Sequence, residues 1–402
     1  MPKIRERPAL PTRFVLQHIL PAVVTDPHYW KMAPGQLRRY LGACRPERDV
    51  HVSQVALRCT EACDLRCASC GQWGENGWLL EKLRRGEGLD SLSWETAQRV
   101  IEETKRDRPF YYVWGGEPTL WKPLLPFFET LGQEHLLGSI VTNCHSLEPL
   151  IEPLIDTGGL AAVLISLDGW DADSQNLIRA PAGSGKSDNF ERTMRCVDRI
   201  DAYKRARGLR FPLVVPLTVV SNLNHMHLAE IHELVRERTQ FHPYYYGWFI
   251  TEERAREHER VFEGRFGYAP RNHMGYIKSV FNEVDPAVTA EEVQAVFRAS
   301  DGHSSIPFFF PDIRSESDIR RYYEDHRWTA GYSHCYSIYC SAEISPDGRV
   351  TPCRDYQDYT CGNINEQSFY EVWNGAAFKE FRRQMEKGLM PVCARCCGLQ
   401  GL

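Results

Sequence analysis

Four of the chain's fourteen cysteines fall within twelve residues, in the stretch "CTEACDLRCASC" from Cys59 to Cys70. Thiols this dense are paired as disulfides, bound to zinc, or bound to iron and sulfide. The chain opens "MPKIRERPALPTRF", with charges and prolines where a secretory signal needs an apolar core. No later run reaches the roughly 18 apolar residues of a membrane span. The expectation is a cytoplasmic chain with no transmembrane segment, and in a reducing compartment clustered cysteines read as metal ligands or catalytic groups before disulfides.

The remaining cysteines are unevenly spread. Seven lie at the back, Cys335, Cys340, Cys353, Cys361, Cys393, Cys396 and Cys397, and three stand alone at Cys44, Cys144 and Cys196. Two metal centres in two domains is the simplest account, with the isolated three as small buried apolar residues. A net charge of −5 over 402 residues gives no global reason to expect a nucleic-acid partner.

Between the clusters, short apolar runs alternate with amphipathic ones. Strands are predicted at His51–Leu57, Phe110–Trp114, Gly138–Thr142, Ala161–Leu167, Pro212–Val220 and Tyr244–Ile250, and Ser93 reads as the N-cap of a helix over "WETAQRVIEETK". Repeated strand-helix units imply α/β architecture with a parallel sheet, here a partial (β/α)6 barrel whose reactive groups collect on the loops after the strands. Those loops hold, in order, the cysteine stretch, "WGGEPTLW", "TNCH", "SLDGW" and "SNLNH".

Cys63, Cys67 and Cys70 have the spacing C-x3-C-x2-C. A structural zinc site takes four ligands, usually as two separated pairs. Three thiolates instead leave one iron of a 4Fe-4S cluster open to a small molecule. Cys59, at a strand end, reads as packing.

With Gly115-Gly116-Glu117-Pro118 after the second strand, this loop resembles the radical S-adenosylmethionine (SAM) enzymes, over about residues 51 to 250. The resemblance implies SAM chelated at the open iron, reductive cleavage to a 5'-deoxyadenosyl radical, and an electron donor such as flavodoxin or ferredoxin. It implies SAM contacts from Gly115, Gly116, Glu117 and Pro118, with the glycines permitting close backbone approach and Glu117 accepting from the ammonium; a helix-start carboxylate is the plainer role for Glu117. Ser166, Asp168 and Arg179 match a segment reaching the ribose and carboxylate, and Asn222 is a candidate for the ribose hydroxyls or a loop cap. The residue before the last cysteine, commonly aromatic in the family, is Ser69 here.

"YCSAEISPDGRVTPC" reads as two short strands about a Pro-Asp-Gly turn, followed by a helix and a closing "PVCARCC". This resembles the auxiliary-cluster domain called SPASM or, in shorter form, twitch, and implies a small α+β domain holding one auxiliary 4Fe-4S cluster. Its expected ligands are Cys335, Cys353, Cys393 and Cys396, with Cys340, Cys361 and Cys397 as alternatives and zinc as the alternative metal. The expected organisation is an N-terminal packing segment at 1–50, the barrel at 51–250, a helical and loop-like bridge at 251–330 that closes over substrate, and the auxiliary domain at 331–402. "APAGSGKS", from Ala180, satisfies a relaxed phosphate-loop pattern but lacks the apolar strand such a loop needs before it. The expected activity is hydrogen abstraction from an unactivated carbon of a peptide or other natural product. A lipid substrate is the alternative, and a zinc-bearing scaffold without catalysis is the rival from another class.

Overall fold

A computed structural model describes residues 10–25, 29–32, 45–74, 76–183 and 187–400. Cys44 and the Ser184-Gly185-Lys186 part of the phosphate-loop pattern lie outside them.

Seven parallel strands run side by side in chain order: β1 Gln54–Arg58, β2 Phe110–Trp114, β3 Leu137–Thr142, β4 Leu160–Ser166, β5 Leu213–Val220, β6 Phe241–Tyr246 and β7 Ile306–Phe310. Five of the expected strands begin within three residues of their predicted starts, and β2 coincides with its prediction. The sixth runs Phe241–Tyr246, not Tyr244–Ile250. The seventh was unforeseen. It arises in the segment read as a bridge, which otherwise forms the helices Glu252–Phe266, Pro286–Ala299 and Glu316–Glu324. Its Pro307 is tolerated because β7 is the terminal strand, where one row of backbone donors needs no ladder partner.

Because side chains alternate along each strand, the sheet has two distinct faces. Val55, Leu57, Tyr111, Val113, Ile140, Val163 and Ile165 pack outward against helix residues such as Val100, Ile101, Phe127, Leu154 and Val197. The helix over Trp94–Thr104 begins where expected, with Ser93 Oγ accepting from the Thr96 amide at 3.1 Å. Tyr112, Trp114, Val141, Leu164, Ser166, Leu217, Val219 and Tyr245 face inward and line a cavity. At the opposite end of this inner face, the N-terminal helix packs Phe14 among Leu213, Phe241 and Ile306, the first residues of β5, β6 and β7.

The predicted hairpin is present as β8 Ser341–Ile344 and β9 Arg349–Thr351, turning at Gly348 with φ +85°. It does not stand apart from the barrel. β8 pairs in parallel with β1, Gln54 opposite Ser341 through Leu57 opposite Ile344, and a short β10 Gly362–Asn363 completes a ten-stranded sheet. The helix Phe369–Trp373 buries Trp373 in the same core, and its indole N–H donates to the Val50 carbonyl at 2.9 Å.

Candidate active site

The cysteine loop leaves β1 at Arg58 and is held at its root by Glu61. That buried carboxylate accepts from Lys82 Nζ at 2.7 Å, the Asp90 amide at 2.9 Å and Arg58 Nη2 at 3.4 Å. A strap runs beneath it: the amides of Arg66, Ala68 and Ala182 donate to the carbonyls of Ala180, Ile178 and Asp64 at 2.7 to 2.9 Å. The strap is the described part of the phosphate-loop pattern, and a helix, Ala172–Ile178, precedes it where a phosphate loop would have a strand.

Cys63, Cys67 and Cys70 all face the cavity, and each sulfur receives an N–H. The Trp73 amide lies 3.3 Å from Cys70 Sγ, Arg179 Nη1 3.6 Å from Cys67 Sγ, and Asn143 Nδ2 3.9 Å from Cys63 Sγ. Burial pushes the Cys67 thiol up to about 11, against the pull of Arg179. A thiol held so high loses its proton to a metal centre rather than to water, and donors aimed at sulfur stabilise thiolates. Three sulfurs on one loop, each given an N–H donor, are a donor set that fits an iron-sulfur centre. Cys59 is fully buried among Leu57 and Leu92, as packing requires.

Asn143, which sequence reasoning gave no role, is the hub of this loop cluster. Its amide donates to Glu117 Oε2 at 2.8 Å, its Nδ2 to Asp64 at 2.8 Å, and its carbonyl accepts from Asn189 at 2.8 Å. The signal was its position at the C-terminal end of the third strand.

The glycines of the Gly115–Pro118 segment answer to the protein's own backbone. The amides of Gly116 and Glu117 pair with the carbonyls of Thr60 and Ala62 at 2.7 and 2.8 Å, and a Cβ on Gly116 would stand 2.1 Å from the Ala62 oxygen. Both glycines line the cavity, but the close approach that demands them is to the cysteine loop. The Glu117 carboxylate is likewise engaged from within: Oε1 accepts from the Thr119 amide and hydroxyl and the Thr142 hydroxyl, at 2.7 to 3.0 Å. Burial raises Glu117 to about 7, with these donors and the Asn143 amide pulling the other way. Pro118 is buried at the head of a short 3-10 turn and does not line the cavity.

Ser166 and Arg179 face the cavity. Asp168 does not. It is buried beside Arg179, 2.7 Å from Nη2, and accepts the Val219 amide at 2.8 Å, so it positions the guanidinium. Asn222 is also absent from the lining. The capping in that loop belongs to Asn224, whose Oδ1 accepts the Ser221 amide and whose Nδ2 donates to the carbonyls of Asp168 and Val219, all at 2.9 Å.

Rings missing at Ser69 are supplied elsewhere. Tyr276, Trp248 and Trp73 line the cavity, and Tyr276 presses so close to Gly71 that a Cβ there would lie 2.6 Å from its ring. The C-terminal segment closes the same space with Arg354, Asp355 and Cys397. Arg354 stacks 4.1 Å over the Tyr112 ring and reaches Glu343 at 3.5 Å.

Cys335, Cys353, Cys393 and Cys396 gather around one apolar cluster containing Ile338, Tyr356, Phe381 and Val392. Burial pushes the Cys353 thiol well up, with Cys335 and Cys393 acting in the same direction. Of the alternatives, Cys340 is buried beside β1, its carbonyl accepting the amides of Ser53 and Gln54. Cys397 turns toward the cavity, with its Sγ 3.2 Å from Asp355 Oδ2. Arg395 anchors the closing cysteines to the Glu316–Glu324 helix, stacking 3.8 Å over Tyr322 and donating to the carbonyls of Tyr322 and Trp328.

A parallel sheet carrying three thiols on its first loop, with a second thiol set in the C-terminal segment that extends the sheet beyond β1, has the donor sets of an iron-sulfur protein. Residues 57–235 match the radical SAM superfamily and residues 335–397 match the iron-sulfur cluster-binding domain SPASM. The chain belongs to the radical SAM superfamily, in its SPASM-bearing form, and its cofactors are SAM and iron-sulfur clusters. It is 24% identical to an AdoMet-dependent heme synthase of Methanosarcina barkeri, covering 84% of this chain and 87% of that one. It is also 24% identical to a PqqA peptide cyclase of Rhodopseudomonas palustris, covering 85% and 78%. Among solved structures, Streptococcus suis SuiB bound to S-adenosylmethionine aligns with a TM-score of 0.56 at 14% identity, over 88% of this chain and 78% of that one. Among the described residues no helix is long and apolar enough to cross a membrane.

Proposed function

We propose that this chain abstracts a hydrogen atom from an unactivated carbon of a peptide or other natural product, held between the inner face of the sheet and the C-terminal segment. One observation carries the reading: Cys63, Cys67, Cys70, Ser166, Arg179, Arg354, Asp355 and Cys397 all line a single cavity. When bound, the cluster and SAM supply an electron and a 5'-deoxyadenosyl radical there. Cys63, Cys67 and Cys70 hold that cluster, and Asn143, Arg179 and the Trp73 amide stabilise its thiolates. Gly115, Gly116 and Ser166 present backbone and hydroxyl groups to SAM, while Trp73, Trp248 and Tyr276 offer it apolar surface and exclude water. Asp168 fixes Arg179, and Glu117 latches the second and third loops together.

Cys335, Cys353, Cys393 and Cys396 hold one auxiliary 4Fe-4S cluster, which leaves Cys397 free to face substrate. A peptide is the class to test first because one relative is a PqqA peptide cyclase, and the other natural products stay open because others are an AdoMet-dependent heme synthase and an Fe-coproporphyrin III synthase. The electron donor is of the flavodoxin or ferredoxin class, and the compartment is the cytoplasm.

The test uses the anaerobically purified chain with dithionite. Wild type forms 5'-deoxyadenosine, and the variant with Cys63, Cys67 and Cys70 all replaced by alanine forms none. Cys353→Ala still cleaves SAM without substrate yet makes no product. Deuterium transfer from a labelled peptide into 5'-deoxyadenosine identifies the substrate class. Deoxyadenosine formation by the triple variant contradicts the site, and failure of every peptide tested to transfer deuterium removes that class.

A further inference from the structure

Away from the cysteines, three ligand atoms converge that neither cluster uses. His258, on the Glu252–Phe266 helix, His273, in the Asn272–Tyr276 turn, and Asp358, in the loop after β9, place one ligand atom each within 4.8 Å of the other two. They come from three stretches of chain. His258 is 1% exposed and His273 fully buried.

Both nitrogens of His258 and Nδ1 of His273 have no hydrogen-bond partner. A buried imidazole nitrogen left unpaired loses its hydration without return, typically at a cost of about 1–3 kcal/mol. Two buried imidazoles, each with an unpaired nitrogen, beside a carboxylate oxygen is not how a purely structural pair of histidines is built.

The surroundings are those of a metal site. Nε2 of His273 lies 3.1 Å from a carboxylate oxygen of Glu259, so that nitrogen carries the proton and the unpaired Nδ1 is left with the lone pair. A carboxylate behind a ligating histidine fixes its tautomer and raises its basicity. Asp358 is held by backbone donors: its Oδ1 accepts the amides of Arg271 and Asn272 at 2.6 and 3.0 Å and its Oδ2 lies 3.2 Å from the Asn272 amide, and each carboxylate oxygen keeps a further lone pair.

We propose that His258, His273 and Asp358 bind one divalent transition-metal ion of the zinc type, with Glu259 as the positioning carboxylate behind His273. Two imidazoles and a carboxylate suit zinc with water as fourth ligand, and no thiolate is required. The ion would pin the Glu252–Phe266 helix to the loop that follows Cys353, and so hold the walls of the auxiliary cysteine site. This does not depend on the activity or substrate proposed above.

The test is zinc itself, measured in the holoenzyme. The full chain is purified anaerobically, given equimolar zinc, desalted, and examined by metal analysis and zinc X-ray absorption. The expected result is one zinc per chain with a shell of nitrogen and oxygen at about 2.0–2.1 Å. Glu259→Gln, on a partly exposed side chain that leaves the ligands in place, should weaken zinc binding by about 10- to 100-fold at unchanged iron content. His258→Ala and His273→Ala should abolish it. A sulfur shell near 2.3 Å overturns the proposal, since zinc would then sit in a cysteine set. Wild-type protein that retains no zinc, or zinc undiminished in both histidine variants, overturns it equally.

Discussion

Arg179 faces two negative partners at once, the Asp168 carboxylate and the Cys67 sulfur, in a setting where its side chain is 11% exposed and that of Asp168 only 2%. Removing one member of such a pair strands the other as an uncompensated buried charge. Arg179→Met should therefore lower stability by about 3–5 kcal/mol in anaerobic urea unfolding. Combining it with Asp168→Asn should recover most of that loss while leaving Cys67 without its donor. A single variant as stable as wild type would show that Asp168 is not held by Arg179. Sequence matching nominated both residues for the same small molecule, and could not show that one serves the other. The orientation of Asp168 is set by the Val219 amide, 51 residues further along the chain.

At the scale of elements, the first two loops behave as one unit. Two backbone hydrogen bonds join Gly116 and Glu117 to the cysteine loop, and there is no space between them for even a methyl group. Gly116→Ala forces the loops apart by displacing backbone, which cannot yield as a flexible side chain can. The expected outcome is protein with reduced iron at the first site, seen as a fall in total iron, and no 5'-deoxyadenosine. Full iron and normal cleavage would mean the contact is dispensable. The strands around these loops were legible because their apolar runs end in turn-forming residues. β7 was not. "IPFFF" is flanked and interrupted by proline and has no alternation, so its local pattern is that of a loop. It becomes a strand because Tyr244 and Tyr245 of β6 offer a paired edge and stacking partners, with ring centroids 4.6 and 5.2 Å from Phe309 and Phe310. β6 itself ends at Tyr246, earlier than its aromatic run suggested, which frees Trp248 to turn into the cavity.

Across the whole molecule, the sheet runs through what the sequence divides into barrel and auxiliary segment. β1 has β2 on one side and β8 on the other, and all five of its residues are buried. A chain ending at residue 330 would expose an apolar edge with unpaired backbone groups, a template for aggregation. Such a truncation should be insoluble or form large oligomers in size-exclusion chromatography. A well-behaved, monomeric fragment would show that the barrel folds without the C-terminal segment.

The sequence by itself determined the cofactor chemistry and the order of the first six strands. Thiol spacing within a short loop, apolar periodicity and turn residues are local properties, and they survive in the chain whatever else folds around it. Only the tertiary structure decided which cysteines face the cavity, that Asn143 completes the donors around the first thiol set, that Asp168 and Asn222 lie off the cavity lining, and that His258, His273 and Asp358 meet. Each of those depends on contacts between residues far apart in the chain, whose distances are set by how strands register and helices pack. Local pattern carries no record of that register, because it is fixed only when the faces of the sheet are buried together.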